Sequence, residues 1–192
     1  MLFESSKVRL RKVTVEDAEL YHIWRNDIEV MRNTNPFLDI YSIEATRDFI
    51  EQVILGSNTA KSYMILERVN EKTIGITSLI NIDHKNRNAE CIIDIGEKNF
   101  WGKGYGREAL TLLLNYAFLE MNLHRVYLRV FSFNKKAIRL YEKLGFSHEG
   151  ISREALFREG VWHDIVHMGQ LQSEYLNNMD SQTSKNEKAP LV

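Results

Sequence analysis

The chain has 192 residues, a formal net charge of −1 and a pI of about 6.6, which suit one domain with one hydrophobic core and argue against a nucleic-acid-binding protein. A single cysteine, Cys91, excludes an intramolecular disulfide framework and a zinc site built from cysteines. Because neither a signal peptide nor a long apolar span is evident, we expect a cytoplasmic protein that does not enter a membrane.

The N-terminal part of the chain predicts a strand followed by helices. Residues 7–13 largely alternate apolar and basic side chains, which is the period of a half-exposed strand. Thr14 then caps a helix that carries Ile23 and Trp24 on its apolar face. A second helical piece is predicted near residues 27–32, and residues 42–55 predict a third helical segment. Its side chains spaced for burial are Ile43, Phe49, Ile50, Val53 and Ile54.

The middle of the chain is rich in β-forming residues. Residues 62–68 and 73–82 are separated by a short polar turn and predict an antiparallel hairpin. The next strand, at residues 89–96, leads into a glycine-rich loop. Successive side chains of a strand point to opposite faces, so this strand presents an acid, Glu90, on one of its faces. The two faces hold Ala89, Cys91, Ile93 and Ile95 on one side and Glu90, Ile92 and Asp94 on the other.

The second half of the chain alternates helices and strands. The helix after the loop repeats its apolar residues at helical spacing, and residues 125–131 form a strand. Asn134 caps a second helix, which Gly145 closes. Two strands follow, at about residues 146–152 and 163–170.

These elements follow the order β-α-α-β-β-β-α-β-α-β-β. Such an order predicts an α+β domain on a central mixed, mostly antiparallel sheet flanked by helices, and we expect it to span residues 1–177. Residues 178–192 are polar, show no periodicity and include Pro190, so we expect a disordered C-terminal tail.

Three glycines at alternate positions, Gly102, Gly104 and Gly106, stand between the strand at residues 89–96 and a long helix. Glycine allows a ligand to approach the bare backbone, and closely spaced glycines turn consecutive N–H groups toward an anion. The free amides and the positive dipole end of a helix attract the same kind of ligand. The loop therefore predicts a pyrophosphate site, although the same glycines also suit a loop that only turns the chain.

Two common nucleotide-binding motifs fit this loop poorly. A dinucleotide fingerprint that starts at Gly102 has Arg107 where its third glycine belongs. One that starts at Gly104 is completed only by Ala109, outside a βαβ unit. A Walker loop needs Ser or Thr after its lysine, whereas Lys103 is followed by glycine.

The loop resembles motif A of the GNAT N-acetyltransferases, Q/R-x-x-G-x-G/A, with Gly104 and Gly106 as its glycines and Trp101 in place of the usual Gln or Arg. A second GNAT signature, N-x-x-A-x-x-x-Y-x-x-x-G-F, is matched further along the chain. The matching residues are Asn134, Ala137, Tyr141, Gly145 and Phe146. The resemblance covers roughly residues 7–172, and the closing stretch is similar to the Rim-type ribosomal-protein N-terminal and spermidine N-acetyltransferases.

This resemblance implies acetyl-CoA as the donor and a primary amine as the acceptor, either a small polyamine-like amine or a peptide or protein N-terminus. The residues that it assigns to the cofactor are Ile93, Ile95, Trp101, Gly102, Lys103, Gly104, Tyr105, Gly106, Arg107 and Asn134. Cations at the starts of the two helices are further candidates to pair with the CoA phosphates. They are Lys103, Arg107, Lys135, Lys136 and Arg139.

The chemistry of the transfer needs a base and an acid. An alkylamine has a pKa of about 10.4, so it must lose a proton before it can attack. Glu90 is the candidate base, acting through a water; the alternative is a structural carboxylate satisfied by His84 or Arg87. The departing thiolate takes up a proton, and the resemblance assigns its donation to Tyr141.

A second class of function stays open, a non-catalytic acyl-CoA-binding module that senses the cofactor through the loop at residues 33–41. That loop carries one acid, Asp39, which offers a polycation little opposite charge.

The scattered histidines form no convincing set of metal ligands, so we expect no metal. The sequence leaves assembly into a homo-oligomer open.

Overall fold

Seven strands form one mixed sheet in the computed structural model, which describes residues 2–186 and the side chains of residues 2–179. The strands are β1 (Val8–Lys12), β2 (Lys61–Glu67), β3 (Thr73–Asp83), β4 (Asn88–Ile95), β5 (Arg125–Phe131), β6 (Ser147–Arg158) and β7 (Val161–Leu171). Their spatial order is β1-β2-β3-β4-β5-β7-β6. Neighbouring strands are antiparallel except β4 and β5, which are parallel, so the predicted α+β class is confirmed.

Helices cover both faces of the sheet. They are α1 (Ala18–Arg25), α2 (Ile28–Met31), α3 (Ile43–Asp48), α4 (Tyr105–Asn115), α5 (Lys135–Lys143) and α6 (Gln172–Asn186). Two of them continue as π-helical segments, α3 through Phe49–Leu55 and α4 through Tyr116–Glu120. The element order is the predicted one with one addition, the C-terminal α6. The short α2 lies where the sequence predicted a helical piece, near residues 27–32, which the predicted order did not count separately.

The hydrophobic core has two layers because each face of the sheet is packed separately. On one face, Leu113 of α4, Ile138 of α5 and Tyr175 of α6 pack in one cluster with strand residues such as Cys91. On the other face, Trp24 of α1 belongs to a second cluster with α2 and the middle strands. The small apolar role expected for Cys91 fits its burial, which also raises the pKa of its thiol to about 12.

Two side chains expected in the core lie on the surface instead. Ile23 is 64% exposed, because Ala18 and Trp24 fill the inward face of the two-turn helix α1. Val53 is 53% exposed. It lies in the π-helical continuation of α3, where hydrogen bonds span one residue more than in an α-helix and the α-helical spacing no longer identifies the buried face.

The last two strands are longer than predicted, because β6 and β7 meet in a two-residue turn. Glu159 and Gly160 both have positive φ, 53° and 80°, which is the backbone of the turns that join twisted hairpin strands directly. Much of β6 is exposed on both faces, so alternating hydrophobicity did not reveal its second half.

The C-terminal segment is helical as far as Asn186. The Tyr175 hydroxyl donates to Asn115 Oδ1 at 2.7 Å, and its ring centroid lies 4.9 Å from that of Phe118. Of the predicted disordered tail at residues 178–192, the first part therefore continues α6, while residues 187–192 lie outside the described residues. The domain limit at residue 177 stays a prediction. No described helix is both long enough and apolar enough to cross a membrane.

Candidate active site

The parallel strands β4 and β5 part within the sheet. They pair only at Asn88 with Arg125, Ala89 with Val126 and Glu90 with Tyr127. Beyond these positions β4 stays with β3 and β5 stays with β7. The result is a wedge between the two strands, which we call the fork, with the unpaired edge of β4 along one side. A crevice at the carboxyl ends of parallel strands is a common ligand-binding position.

The glycine-rich loop lies at the mouth of the fork. Gly102 and Gly104 have φ values of +71° and +88°, a left-handed conformation that strains other residues. Gly104 also occupies the N-cap position of α4, where no side chain caps the helix among the described residues. The first backbone N–H groups of α4 are therefore available to an anion, as the sequence predicted for this loop.

Gly106 lies between strand β4 and helix α5. A β-carbon placed on Gly106 would lie 3.8 Å from Ile95 Cγ1, 3.9 Å from Ile93 Cδ1 and 3.9 Å from Leu140 Cδ2. Ile93 and Ile95 belong to β4, and Leu140 belongs to α5. The fold thus brings together the residues that the sequence assigned to two parts of one cofactor.

Trp101 replaces the usual polar residue of the loop motif and fastens the loop to the sheet. Its Nε1 donates to the Ile95 carbonyl oxygen at 2.7 Å, and its ring packs against the core layer of α1 and α2. Tyr105 packs edge-on against Phe100, with ring centroids 5.0 Å apart. Both side chains therefore support the loop, while its backbone remains open to a ligand.

Cations surround the loop, and one of them was missed. The expected cations are exposed near the starts of α4 and α5; they are Lys103, Arg107, Lys135, Lys136 and Arg139. Lys7 joins them from the strand side, since its Nζ donates to the Lys103 carbonyl oxygen at 3.0 Å. An open groove of about 440 Å³ runs between Lys7 and Arg107. The two segments are far apart in the chain, so local sequence patterns carried no signal for Lys7.

Helix α5 forms the other wall of the site. The Asn134 side chain caps this helix, because Oδ1 accepts from the Ala137 N–H at 3.2 Å, and Nδ2 donates to the Asn33 carbonyl oxygen at 3.4 Å. Tyr141 is half-buried, with its ring edge-on to Phe146 at 5.9 Å. Burial, together with the nearby Cys91 and Asp94, raises the pKa of Tyr141 above its usual range. At neutral pH the hydroxyl is therefore protonated and able to donate.

Glu90 is buried and fully engaged by its neighbours. Arg129 Nε lies 2.8 Å from Glu90 Oε1, Arg129 Nη2 lies 3.3 Å from Oε2, and Asn81 Nδ2 donates to Oε2 at 3.3 Å. These partners differ from His84 and Arg87, the two that the sequence suggested. Arg87 instead donates to the Asn122 carbonyl oxygen. The contacts favour the structural alternative, and the role of Glu90 as the base stays a prediction.

Asp94 lies on the same strand and was not singled out from the sequence. Its Oδ1 is buried and has no hydrogen-bond partner among the described residues. Burial raises the pKa of Asp94, and a hydrogen bond from the Thr34 side chain acts in the opposite direction. A signal was present in the sequence, because strand alternation puts Asp94 on the face of Glu90.

The loop at residues 33–41 closes over this part of the molecule. Asn26 holds its far end, with the Tyr41 N–H donating to Asn26 Oδ1 at 2.9 Å. The Arg25 guanidinium lies 3.6 Å from the centroid of the Tyr41 ring. From the β6–β7 hairpin, Arg158 Nη2 donates to the Asn35 carbonyl oxygen at 2.7 Å. The loop is thus tied to α1 and to the hairpin.

Within residues 2–186, no group of three or more His, Cys, Asp or Glu side chains is arranged to hold a metal ion. The site that the fold assembles is a different one. It combines exposed helix amides, a wedge between parallel strands, a protonated tyrosine and an unpaired carboxylate oxygen. Such a set suits an extended ligand with a phosphate end and a reactive end in the fork.

Comparison with known proteins identifies similar chains. The acetyltransferase (GNAT) domain family matches residues 7–147. Spermidine N(1)-acetyltransferase of Vibrio cholerae is 37% identical over 163 residues, which cover 81% of this chain and 94% of that protein. The putative ribosomal N-acetyltransferase YdaF of Bacillus subtilis is 39% identical over 101 residues, 53% of this chain and 55% of that protein.

Solved structures show the same similarity. The crystal structure of spermidine N-acetyltransferase from Vibrio cholerae in complex with CoA and spermine has a TM-score of 0.80 and 31% sequence identity, covering 90% of this chain and all of that one. A dodecameric structure of the Vibrio cholerae enzyme has a TM-score of 0.77 at 31% identity and covers 91% of this chain and 99% of that one.

Proposed function

The chain belongs to the GNAT acetyltransferase family and is an acetyl-CoA-dependent N-acetyltransferase, and we propose that its acceptor is the primary amine of a polyamine such as spermidine. The match to the Vibrio cholerae spermidine enzyme covers 81% of this chain, whereas the match to the ribosomal relative covers 53%. The breadth of that match supports the small amine over a protein N-terminus.

The observation that carries the acceptor proposal is the anchoring of the loop at residues 33–41. Asn33 contacts the N-cap of α5, Thr34 bonds Asp94, and Asn35 is held by Arg158. A loop fixed at these points over the fork favours a slender, flexible acceptor over the N-terminus of a folded protein. Because Asp39 is its one acid, we expect modest affinity for the higher polyamines.

In the proposed binding mode, the amides from Gly102 to Arg107 hold the pyrophosphate, with Lys7, Lys103 and Arg107 as nearby opposite charges. The unpaired edge of β4, at Ile93 and Ile95, accompanies the pantetheine arm into the fork. The thioester then lies near Tyr141. The Tyr141 hydroxyl donates a proton to the sulfur as the carbon–sulfur bond breaks, and it recovers that proton from solvent.

We also propose that the protein assembles as a homo-oligomer through the β6–β7 hairpin. Phe157 and Trp162 are 56% and 57% exposed, and their ring centroids lie 5.0 Å apart. Ile151 and Val161 are exposed on the same hairpin. Adjacent exposed apolar side chains of this size mark an interaction surface.

Sedimentation velocity tests the proposal, and a wild-type monomer at micromolar concentration would contradict it. Trp162→Ser should shift the distribution toward smaller species.

The acceptor is tested by following thiol release from acetyl-CoA with spermidine, spermine, an alanine-led tripeptide and an aminoglycoside. We expect the largest kcat/KM with spermidine. Turnover of the tripeptide alone would replace the polyamine with a peptide N-terminus as acceptor. CoA binding without thiol release for any amine would instead favour the non-catalytic sensor that the sequence left open.

A further inference from the structure

We propose that Asp94 receives the ammonium group of the acceptor and takes a proton from it, a role that rests on the proposed amine acetylation. The geometry distinguishes Asp94 from Glu90, the acid that the sequence suggested. Both are on one face of β4, but Glu90 is the last residue of β4 paired with β5, whereas Asp94 lies further along the free edge, nearer the glycine-rich loop.

Asp94 is held in place by the sheet. It is paired with Ile76 of β3, so its backbone position does not depend on β5. Its side chain faces the layer of α1 and α2, whose core cluster includes Ile76 and Trp24. A central strand positions a binding carboxylate more precisely than a loop would.

The surroundings of Asp94 lack an opposite charge. The groups near it are the Thr34 side chain from the loop at residues 33–41, Tyr21 from α1 and Tyr141 from α5. No ion pair among the described residues includes Asp94, and its Oδ1 has no partner there. A carboxylate with one buried, unsatisfied oxygen and no ion-pair partner costs stability. Glu90 carries no such cost, because Arg129 and Asn81 satisfy it.

This arrangement suits a ligand that brings its own positive charge. A primary ammonium has three N–H donors, of which one can bond Asp94 Oδ1. Tyr141 is close enough to Asp94 for the carboxylate to raise the pKa of the hydroxyl. The amine, the carboxylate and the proton donor for the thiolate therefore meet inside the fork, where the acetyl group would be transferred.

The proton balance of the step is complete. The acceptor enters as R–NH₃⁺ and transfers one proton to Asp94, which becomes a neutral carboxylic acid. The free electron pair of R–NH₂ forms the bond to the acetyl carbon, and the carbon–sulfur bond breaks. The nitrogen then loses its second proton to solvent, and the thiolate takes up a proton from Tyr141. Asp94 releases its proton to solvent and Tyr141 recovers one from solvent, so both side chains return to their starting states. The net change is R–NH₃⁺ plus acetyl-CoA giving the amide, CoA–SH and one proton to solvent.

Burial supports this role because it raises the pKa of Asp94, which makes the carboxylate a better proton acceptor than an exposed one. Thr34 opposes the shift by hydrogen bonding. An entering ammonium would lower the same pKa, and the proton must still move to Asp94 before attack, because an ammonium nitrogen has no free electron pair with which to bond carbon.

The test compares Asp94→Asn with Glu90→Gln, two substitutions of a carboxylate by its amide on one face of β4. Asp48→Asn, an exposed acid of α3, is the control for loss of a surface charge. Thiol release is measured with spermidine and with the alanine-led tripeptide across pH 6 to 9, and calorimetry measures CoA affinity. We expect Asp94→Asn to lower kcat/KM by about 10²-fold with either amine and to leave CoA affinity unchanged.

Each outcome separates the inference from the function on which it rests. A wild-type enzyme that acetylates the tripeptide but not spermidine contradicts the polyamine proposal, while a loss in Asp94→Asn with the tripeptide still supports Asp94. Full activity of Asp94→Asn, or an equal loss in both variants that tracks lost CoA affinity, overturns the inference. A loss in Glu90→Gln with Asp94→Asn unaffected would assign the base to Glu90 instead.

Discussion

Arg129 Nε lies 2.8 Å from Glu90 Oε1, and this ion pair joins β5 to β4 at the position where the two strands stop pairing. The carboxylate side chain is 4% exposed and the guanidinium side chain 55% exposed. The pair therefore holds the inner end of the fork closed. Removing the guanidinium leaves a buried carboxylate whose remaining partner among the described residues is Asn81.

The first prediction concerns the stability that this pair provides. Arg129→Met should lower the free energy of unfolding by about 1–3 kcal/mol, because a buried acceptor loses its charged donor. Urea denaturation measures the change. The double variant Arg129→Met/Glu90→Gln should recover part of the loss, since a neutral amide is less costly to bury. If the losses of unfolding free energy in Arg129→Met and Glu90→Gln simply add in the double variant, the two side chains act independently.

The second prediction concerns Tyr141. Tyr141→Phe keeps the ring packing against Phe146 and removes only the hydroxyl, so CoA affinity and melting temperature should change little. We expect kcat and kcat/KM to fall together by about 10²-fold, the low end for a lost general acid. An acyl donor with a more acidic thiol should reduce the loss. Lost CoA affinity with intact turnover would make Tyr141 a binding residue.

The third prediction concerns the backbone of the glycine-rich loop. Gly104→Asn should keep the left-handed conformation, which Asn tolerates better than most residues, but places a side chain among the amides proposed to hold the pyrophosphate. CoA affinity measured by calorimetry should fall by about tenfold or more, roughly 1.4 kcal/mol. Gly160→Asn makes the same change at another positive φ, in the hairpin turn, and should retain affinity. Unchanged affinity in Gly104→Asn would move the phosphate site elsewhere.

The fourth prediction is a pH dependence of stability. Burial raises the pKa of Asp94 in the folded protein, so ionisation of this group opposes folding. The cost is absent below the ordinary Asp pKa of about 3.9 and is complete above the raised folded value. Asp94→Asn should therefore be more stable than wild type at pH 7, with a difference that disappears as the pH falls toward 3.9. Urea titrations between these limits measure it, and a less stable variant at pH 7 would indicate that Asp94 is satisfied in the fold.

The fifth prediction concerns the C-terminal helix. Removing residues 187–192 should leave melting temperature and turnover unchanged, because a terminal stretch of six residues has little apolar area to bury. Removing residues 172–192 also removes the buried Tyr175, which should cost about 3–5 kcal/mol, as for other large aromatic truncations. Tyr175→Phe isolates the hydrogen bond to Asn115 within that loss. Equal stability of the two truncations would show that α6 contributes no packing.

Local signals were enough to place much of the fold and part of the site. Asn134 caps α5 with its own side chain and Gly104 begins α4 at positive φ, and both features depend on residues nearby in the chain. Alternation put Glu90 and Asp94 on one face of β4, a strand that lies in the middle of the sheet.

Features that depend on distant segments could not be predicted in this way. The partner of Glu90 is Arg129, on a strand that becomes its neighbour only through the crossover of α4. Lys7, which contacts the glycine-rich loop, lies just before β1, the strand at one edge of the sheet. The exposure of Val53 depends on a change from α-helical to π-helical winding, for which no residue pattern in that segment gave a sign.

The fork also divides the sheet mechanically. Strands β1 to β4 form one half-sheet, β5 to β7 form another, and three parallel residue pairs join them. Opening at this seam breaks few backbone hydrogen bonds, so the amides around the seam should exchange with deuterium sooner than those of β2 and β3, which are paired on both sides. A ligand that contacts both half-sheets would slow that exchange. Ligand binding in the fork should therefore make the connection between the two half-sheets more rigid.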